Sequence, residues 1–229
     1  MAWQCRFGLA VRGLGVTAEA SGAGDYPARL DVDYPEQGLN RATTLFRILL
    51  VIPVAIVAGL IGGSFASVGL PDGSDWRPLI SGGALFLPVL LMIVFRQKYP
   101  RWWFDWNLEA TRFVARVYAY MALMRDEYPS TDEHQAVRLE LDYPDAARDL
   151  NRWLPLVKWF LAIPHYIVLA VLSVAEAVCV VIAWFAILFT GRYPRGLFDF
   201  VLGVNRWWLR VAAYMWLLTT DRYPPFSLR

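Results

Sequence analysis

The chain has 229 residues, of which 57% are hydrophobic and only 18% charged; its mean hydropathy is +0.37 and its formal net charge +2. That is too much apolar surface for an ordinary soluble coat, so a bilayer is the expected solvent. The small, scattered charge argues against nucleic acid as a partner, and two cysteines and two histidines without metal-type spacing argue against a disulfide framework, a zinc site or haem, so no cofactor is expected.

Residues 1–25 read as a flexible leader: Met1 to Gly24 carries Arg6 and Arg12 but lacks the sustained apolar core of a secretory signal. From there the chain is written twice, as repeats over 26–129 and 130–229. The first runs through RLDVDYP at Arg29 to Pro35, Asn40-Arg41, Ile52-Pro53, Tyr99-Pro100-Arg101, Phe104-Asp105, Arg112, Arg116, Tyr120 and Asp126. The second runs through RLELDYP at Arg138 to Pro144, Asn151-Arg152, Ile163-Pro164, Tyr193-Pro194-Arg195, Phe198-Asp199, Arg206, Arg210, Tyr214 and Asp221. So many matches in one order define an internal repeat, which governs every later structural reading.

Each repeat opens with a strictly alternating segment. Leu30, Val32 and Tyr34 face one way and Arg29, Asp31 and Asp33 the other; Leu139, Leu141 and Tyr143 oppose Arg138, Glu140 and Asp142 in the same manner. The pattern predicts two short half-buried strands, each ended by its Tyr-Pro pair at Pro35 and Pro144 and able to pair into a small cytoplasmic sheet.

Apolar runs follow. Thr43 to Val68 and Pro78 to Phe95, joined by the polar turn Gly69 to Arg77, predict a transmembrane helical hairpin. In the second repeat the run from Trp153 to Thr190 is almost unbroken, and its only acid, Glu176, falls where the first repeat has its turn. Glu176 is therefore expected at a second hairpin tip; the competing arrangement is one long tilted helix. Pro53 and Pro164 fall inside the first helix of each hairpin, as packing kinks. Trp102 to Met124 and Leu197 to Leu218 then predict amphipathic helices, with Asp105, Glu109, Arg112 and Arg116 on one stripe, matched by Asp199, Gly203, Arg206 and Arg210. The cost of two arginines at depth favours the interface over a span for both.

Nine basic residues between Arg96 and Arg152 and six from Arg192 to Arg229, against Arg77 alone at the first tip, orient both termini and the central linker to the cytoplasm. The expected fold is an all-α integral membrane protein with two repeated hairpins, each followed by an interfacial amphipathic helix, and a small cytoplasmic strand pair.

WFAILFTGRYPRGLFDF at Trp184 to Phe200, with RLELDYP upstream and DRYPPFSL at Asp221 to Leu228, resembles an uncharacterised bacterial membrane family, Domain of Unknown Function 4389. The first repeat departs from it, with Arg-Gln-Lys-Tyr-Pro-Arg-Trp at Arg96 to Trp102. The resemblance implies a multi-pass protein of the bacterial inner membrane, often with tandem copies, and carries over no activity.

Four ionisable residues fall in the apolar runs. Arg47 and Lys158 lie near the cytoplasmic ends, where long side chains snorkel to headgroups. His165 is expected to bond a carbonyl freed by Pro164, with a proton or ligand site as the alternative, and Glu176 is the other intramembrane polar candidate. Asp105 and Asp199 are expected near helix starts, complementing the dipole and holding Arg101 or Arg195. Arg101, Arg112 and Arg116, with Arg195, Arg206 and Arg210, form candidate clamps for lipid phosphate or a partner. The motif residues Asp33, Tyr34, Pro35, Asp142, Tyr143 and Pro144 read as structural. No catalytic motif is recognisable. The leading expectation is a non-enzymatic membrane scaffold or accessory subunit, with lipids, another membrane protein or a second copy of the chain as partners; the alternative is a small transporter built from tandem repeats.

Overall fold

A computed structural model describes residues 26–36, 38–61, 77–130 and 135–229. The leader, Cys5 and the polar turn Gly69 to Trp76 lie outside the described residues. Within them the order is β1 (Ala28–Val32), α1 (Arg41–Ile61), α2 (Arg77–Arg96), α3 (Arg101–Met121), β2 (Val137–Leu141), α4 (Leu154–Thr190) and α5 (Arg195–Met215).

The alternation expected of the strands is present: Ala28 and Val32 are buried and Arg29 and Asp31 exposed in β1, while β2 buries Val137, Leu139 and Leu141. The two strands pair antiparallel, with Leu30 opposite Leu139. Those two residues are also equivalents in the sequence repeat. A residue that pairs with its own equivalent defines a local twofold axis, as in an isologous interface.

Around this axis the packing is exchanged: β1 lies on α5 and β2 on α3. Two cores result. Val89, Ile93, Tyr99, Phe104 and Leu150 pack in one, and their equivalents Ala183, Ile187, Tyr193, Phe198 and Leu39 in the other. Backbone detail repeats as well. Left-handed residues end matching helices, Gln97 (φ 45°) after α2 and Gly191 (φ 73°) after α4, with Leu123 (φ 63°) and Leu218 (φ 53°) following α3 and α5. The Gly191 amide donates to the Ile187 carbonyl, a helix stop that glycine adopts without steric cost.

The halves differ in their apolar helices. The expected hairpin tip at Glu176 is not there: α4 is one helix of 37 residues that runs straight through it. The physical reason lies in the local sequence, because Leu169 to Val181 contains no Gly, Pro, Asn or Asp, and Ala175-Glu176-Ala177 favours helix. By length and composition α4 can cross a membrane, and the two parts of α1, Arg41–Arg47 and Leu49–Gly59, bent by 54°, pass the same test together. At 1.5 Å per residue α4 is roughly 55 Å long, well beyond the ~30 Å of hydrocarbon, so it must tilt or extend into the headgroup region if it spans.

Candidate functional site

The repeated motifs meet one another across the two halves. Tyr34, at the end of β1, donates its hydroxyl to the Tyr193 carbonyl and stands edge-on to Phe198 at 5.1 Å. Tyr143, after β2, donates to the Tyr99 carbonyl and stands edge-on to Phe104 at 5.1 Å. The Arg195 guanidinium lies 4.7 Å over the Tyr34 ring, and that of Arg101 lies 5.5 Å over Tyr143. Each Asp-Tyr-Pro motif, ended by Pro35 or Pro144, is thus received by the Tyr-Pro-Arg motif of the other half. Burial pushes the Tyr99 and Tyr193 hydroxyls well above the ordinary phenol range.

The arginines of the amphipathic helices turn inward. Arg112 donates from Nε to the Leu139 carbonyl (3.0 Å) and pairs with Glu109, while Arg206 donates to the Leu30 carbonyl (2.8 Å) and pairs with Asp31. Arg116 donates to the Ser130 carbonyl (2.6 Å), and Arg210 to the carbonyls of Ser227 and Arg229. Burial, with Arg206 close by, lowers the pKa of Arg210. These four arginines fix strands and following segments onto α3 and α5. Arg101 and Arg195 are the two candidates left exposed.

Asp105 and Asp199 are exposed in the second turns of α3 and α5, whose first turns hold no acid. The expected hold on Arg101 and Arg195 is supplied by the tyrosine rings instead. Asp33 pairs with Arg138 at 2.5 Å and Asp142 with Arg29 at 3.1 Å, on the exposed face of the sheet, where such pairs contribute about 0–1 kcal/mol each.

Arg47 and Lys158 do not snorkel; they are 2% and 0% exposed. Arg47 pairs with Asp126, donates to the Tyr120 carbonyl (3.1 Å) and lies 4.5 Å over the Tyr120 ring. Lys158 pairs with Asp221 (2.8 Å), donates to the Thr220 carbonyl (2.7 Å) and lies 4.7 Å over the Tyr214 ring. The second oxygen of each carboxylate accepts from a backbone amide ahead of the helix, Asn40 in one half and Asn151 in the other. The acids that follow α3 and α5 explain the burial, since a buried cation is tolerated only when paired and hydrogen-bonded.

His165 is fully buried, and its partner is not the carbonyl freed by Pro164. Its Nδ1 accepts from the Trp207 indole at 3.1 Å, and its ring stacks on Phe226 at 4.1 Å. In the first half the equivalent position is Val54, packed with Phe113 and Val117. Glu176, 3% exposed, accepts from Asn205 Nδ2 at 2.7 Å and is hydrogen-bonded to the Tyr118 hydroxyl. Asp126, Asp221, Trp207, Asn205 and Tyr118 were not singled out as site residues by sequence. The first two carried a signal, as repeat markers beside Tyr-Pro; Asn205 is a lone amide in an apolar stretch. Among the described residues no group of three His, Cys, Asp or Glu side chains is placed to hold a metal ion.

Fold and site together define a mostly helical protein with a small two-stranded antiparallel sheet and, among the described residues, one or two candidate membrane helices. Residues 153–227 match a single domain of unknown function, DUF4389, and no second copy is matched in the first half. No curated protein and no solved structure matches the chain.

Proposed function

We propose that the chain is a tandem pair of such domains, the first strongly diverged, forming a non-enzymatic multi-pass scaffold or accessory subunit of the bacterial inner membrane, with both termini cytoplasmic. The observation that carries this reading is the division of labour in the surface. The repeated polar residues mostly hold the strands onto α3 and α5, whereas α4 leaves its apolar side uncovered, only 17% of its most apolar window being buried. A soluble core helix would be covered; lipid is the solvent that suits this one. The face left for contact is the sheet with its exposed charges and the exposed Arg101 and Arg195, a face suited to anionic headgroups or to a charged partner subunit.

Purification in gentle detergent from native membranes, with mass spectrometry of everything that stays bound, tests the proposal. A stoichiometric protein partner or an enriched anionic lipid is expected, weakened by Arg101→Ala with Arg195→Ala. A monomer carrying neither would overturn it. A transporter is the second reading, favoured by the one buried stripe of α4 that holds Lys158, His165 and Glu176. Flux in proteoliposomes that is lost in His165→Ala or Glu176→Gln would move that reading ahead.

A further inference from the structure

Between α3 and α5, beneath the strand pair, lies a half-open cavity of about 490 Å³, within the usual size range of small-molecule sites. Leu30 and Leu139, which face each other on the local twofold, both line it. Equivalent positions on α3 and α5 line it too, but they carry different side chains: Thr111 answers to Asn205, and Tyr118 to Ala212. The symmetry of the backbone is therefore broken in the lining. Most of the wall is apolar, while Tyr118 and Asn205 both reach Glu176 of α4. Ser173, almost a turn earlier on α4, also lines the cavity and accepts from the Trp208 indole at 3.1 Å.

The polar cluster is rich in acceptors. Asn205 Nδ2 donates to Glu176 at 2.7 Å and to the Val201 carbonyl at 2.8 Å, which uses both of its hydrogens. Its Oδ1 is then the atom left to accept at a residue that lines the cavity, while Glu176 stands outside the lining, 3% exposed. An acid placed on an otherwise lipid-compatible helix is costly, and a carboxyl so placed marks a functional position by default. We propose that the cavity binds a single-chain amphiphile drawn from the bilayer, its hydrocarbon chain between α3 and α5 and its hydrogen-bond-donating head at Asn205, which Glu176 holds in place from outside the lining. The cavity is built by the two halves alone and needs no partner surface, so this ligand and the scaffold role stand or fall separately.

Photoactivatable C16 probes test the site on the full chain in lipid nanodiscs, with an alcohol, an amine and a carboxylic acid as the three heads. The alcohol or the amine, whichever head fits, should label peptides of α3 and α5 around Ala115 and Leu209. The acid should label them about tenfold less, a difference of ~1.4 kcal/mol. Ala212→Tyr, which places at one side of the cavity the residue found at the other, should abolish labelling. Glu176→Gln gives a second, near-isosteric readout: removing the carboxylate that orients Asn205 should erase the discrimination against the acid. Equal labelling by all three heads, labelling confined to the outward face of α4, or discrimination unchanged in Glu176→Gln would each overturn the proposal.

Discussion

The first half holds Val54 against Phe113 where the second holds His165 against Trp207, yet both halves close the ends of their helices with the same charged knot. Arg47 with Asp126 and Tyr120 and Lys158 with Asp221 and Tyr214 use different cations on one plan: a carboxylate, a backbone carbonyl and a ring face. The contrast teaches where each half tolerates change. The knot needs its acceptors because its cation is buried, whereas the helix contact about two turns deeper needs only a pair of matched shape and polarity.

The largest expected effect comes from breaking a knot on one side only. Asp221→Ala leaves Lys158 buried without its counter-charge and should cost about 3–5 kcal/mol. Thermal melting in detergent, followed by size exclusion, should show most of the stability gone, and Asp221→Ala with Lys158→Met should recover much of it. If the single variant melts like the wild type, the knot is not structural.

Converting one half into the other is the next test. Trp207→Phe alone removes the indole donor to His165 Nδ1 and should cost roughly 1–3 kcal/mol, whereas Trp207→Phe with His165→Val rebuilds the apolar pair of the first half and should recover part of that loss. The stack of His165 on Phe226 bears on the C-terminal segment, so limited proteolysis after Asp221 is the sharper readout. Equal loss in the single and the double variant would break the equivalence of the two positions.

Smaller effects come from the tyrosine latches. Tyr34→Phe and Tyr143→Phe each remove one hydroxyl bond to a carbonyl and should cost about 0.5–1.5 kcal/mol, alike in the two halves. A pH titration gives the last test. Tyr99 and Tyr193 hold their protons above the ordinary phenol range in the fold and release them near 10.0 when unfolded. The unfolded chain then binds fewer protons, so stability is full below pH 10 and falls as the pH rises above it. Tyrosinate absorbance should lag behind the count of tyrosines until the fold opens.

What could be read in the sequence was local. The strand alternation and the stripes of α3 and α5 have periods that depend only on the chain itself, and the structure keeps them. The second hairpin failed because its sign was homology to the first half, while the local residues around Glu176 favour helix. The exchange of strands between halves, and with it the partners of Tyr34, Tyr143, Arg112 and Arg206, had no sequence signal, since residues 27 to 176 positions apart meet only through topology. Snorkelling was the wrong expectation for Arg47 and Lys158 because the acids that bury them arrive from beyond the following amphipathic helix. Asn205 and Tyr118 were invisible for the same reason: each matters only beside Glu176.

The interlocking of the halves is tested most directly by cross-linking across the local twofold. Leu30→Cys with Leu139→Cys, in a chain carrying Cys5→Ser and Cys179→Ser and a protease site at 131–134, places two thiols directly opposite each other on paired strands, within disulfide reach. After oxidation in native membranes and cleavage, the two fragments should remain joined on a non-reducing gel, while Leu30→Cys with Glu140→Cys, one register off, should join far less. Separation of the fragments, or joining only between different chains, would contradict the fold described above.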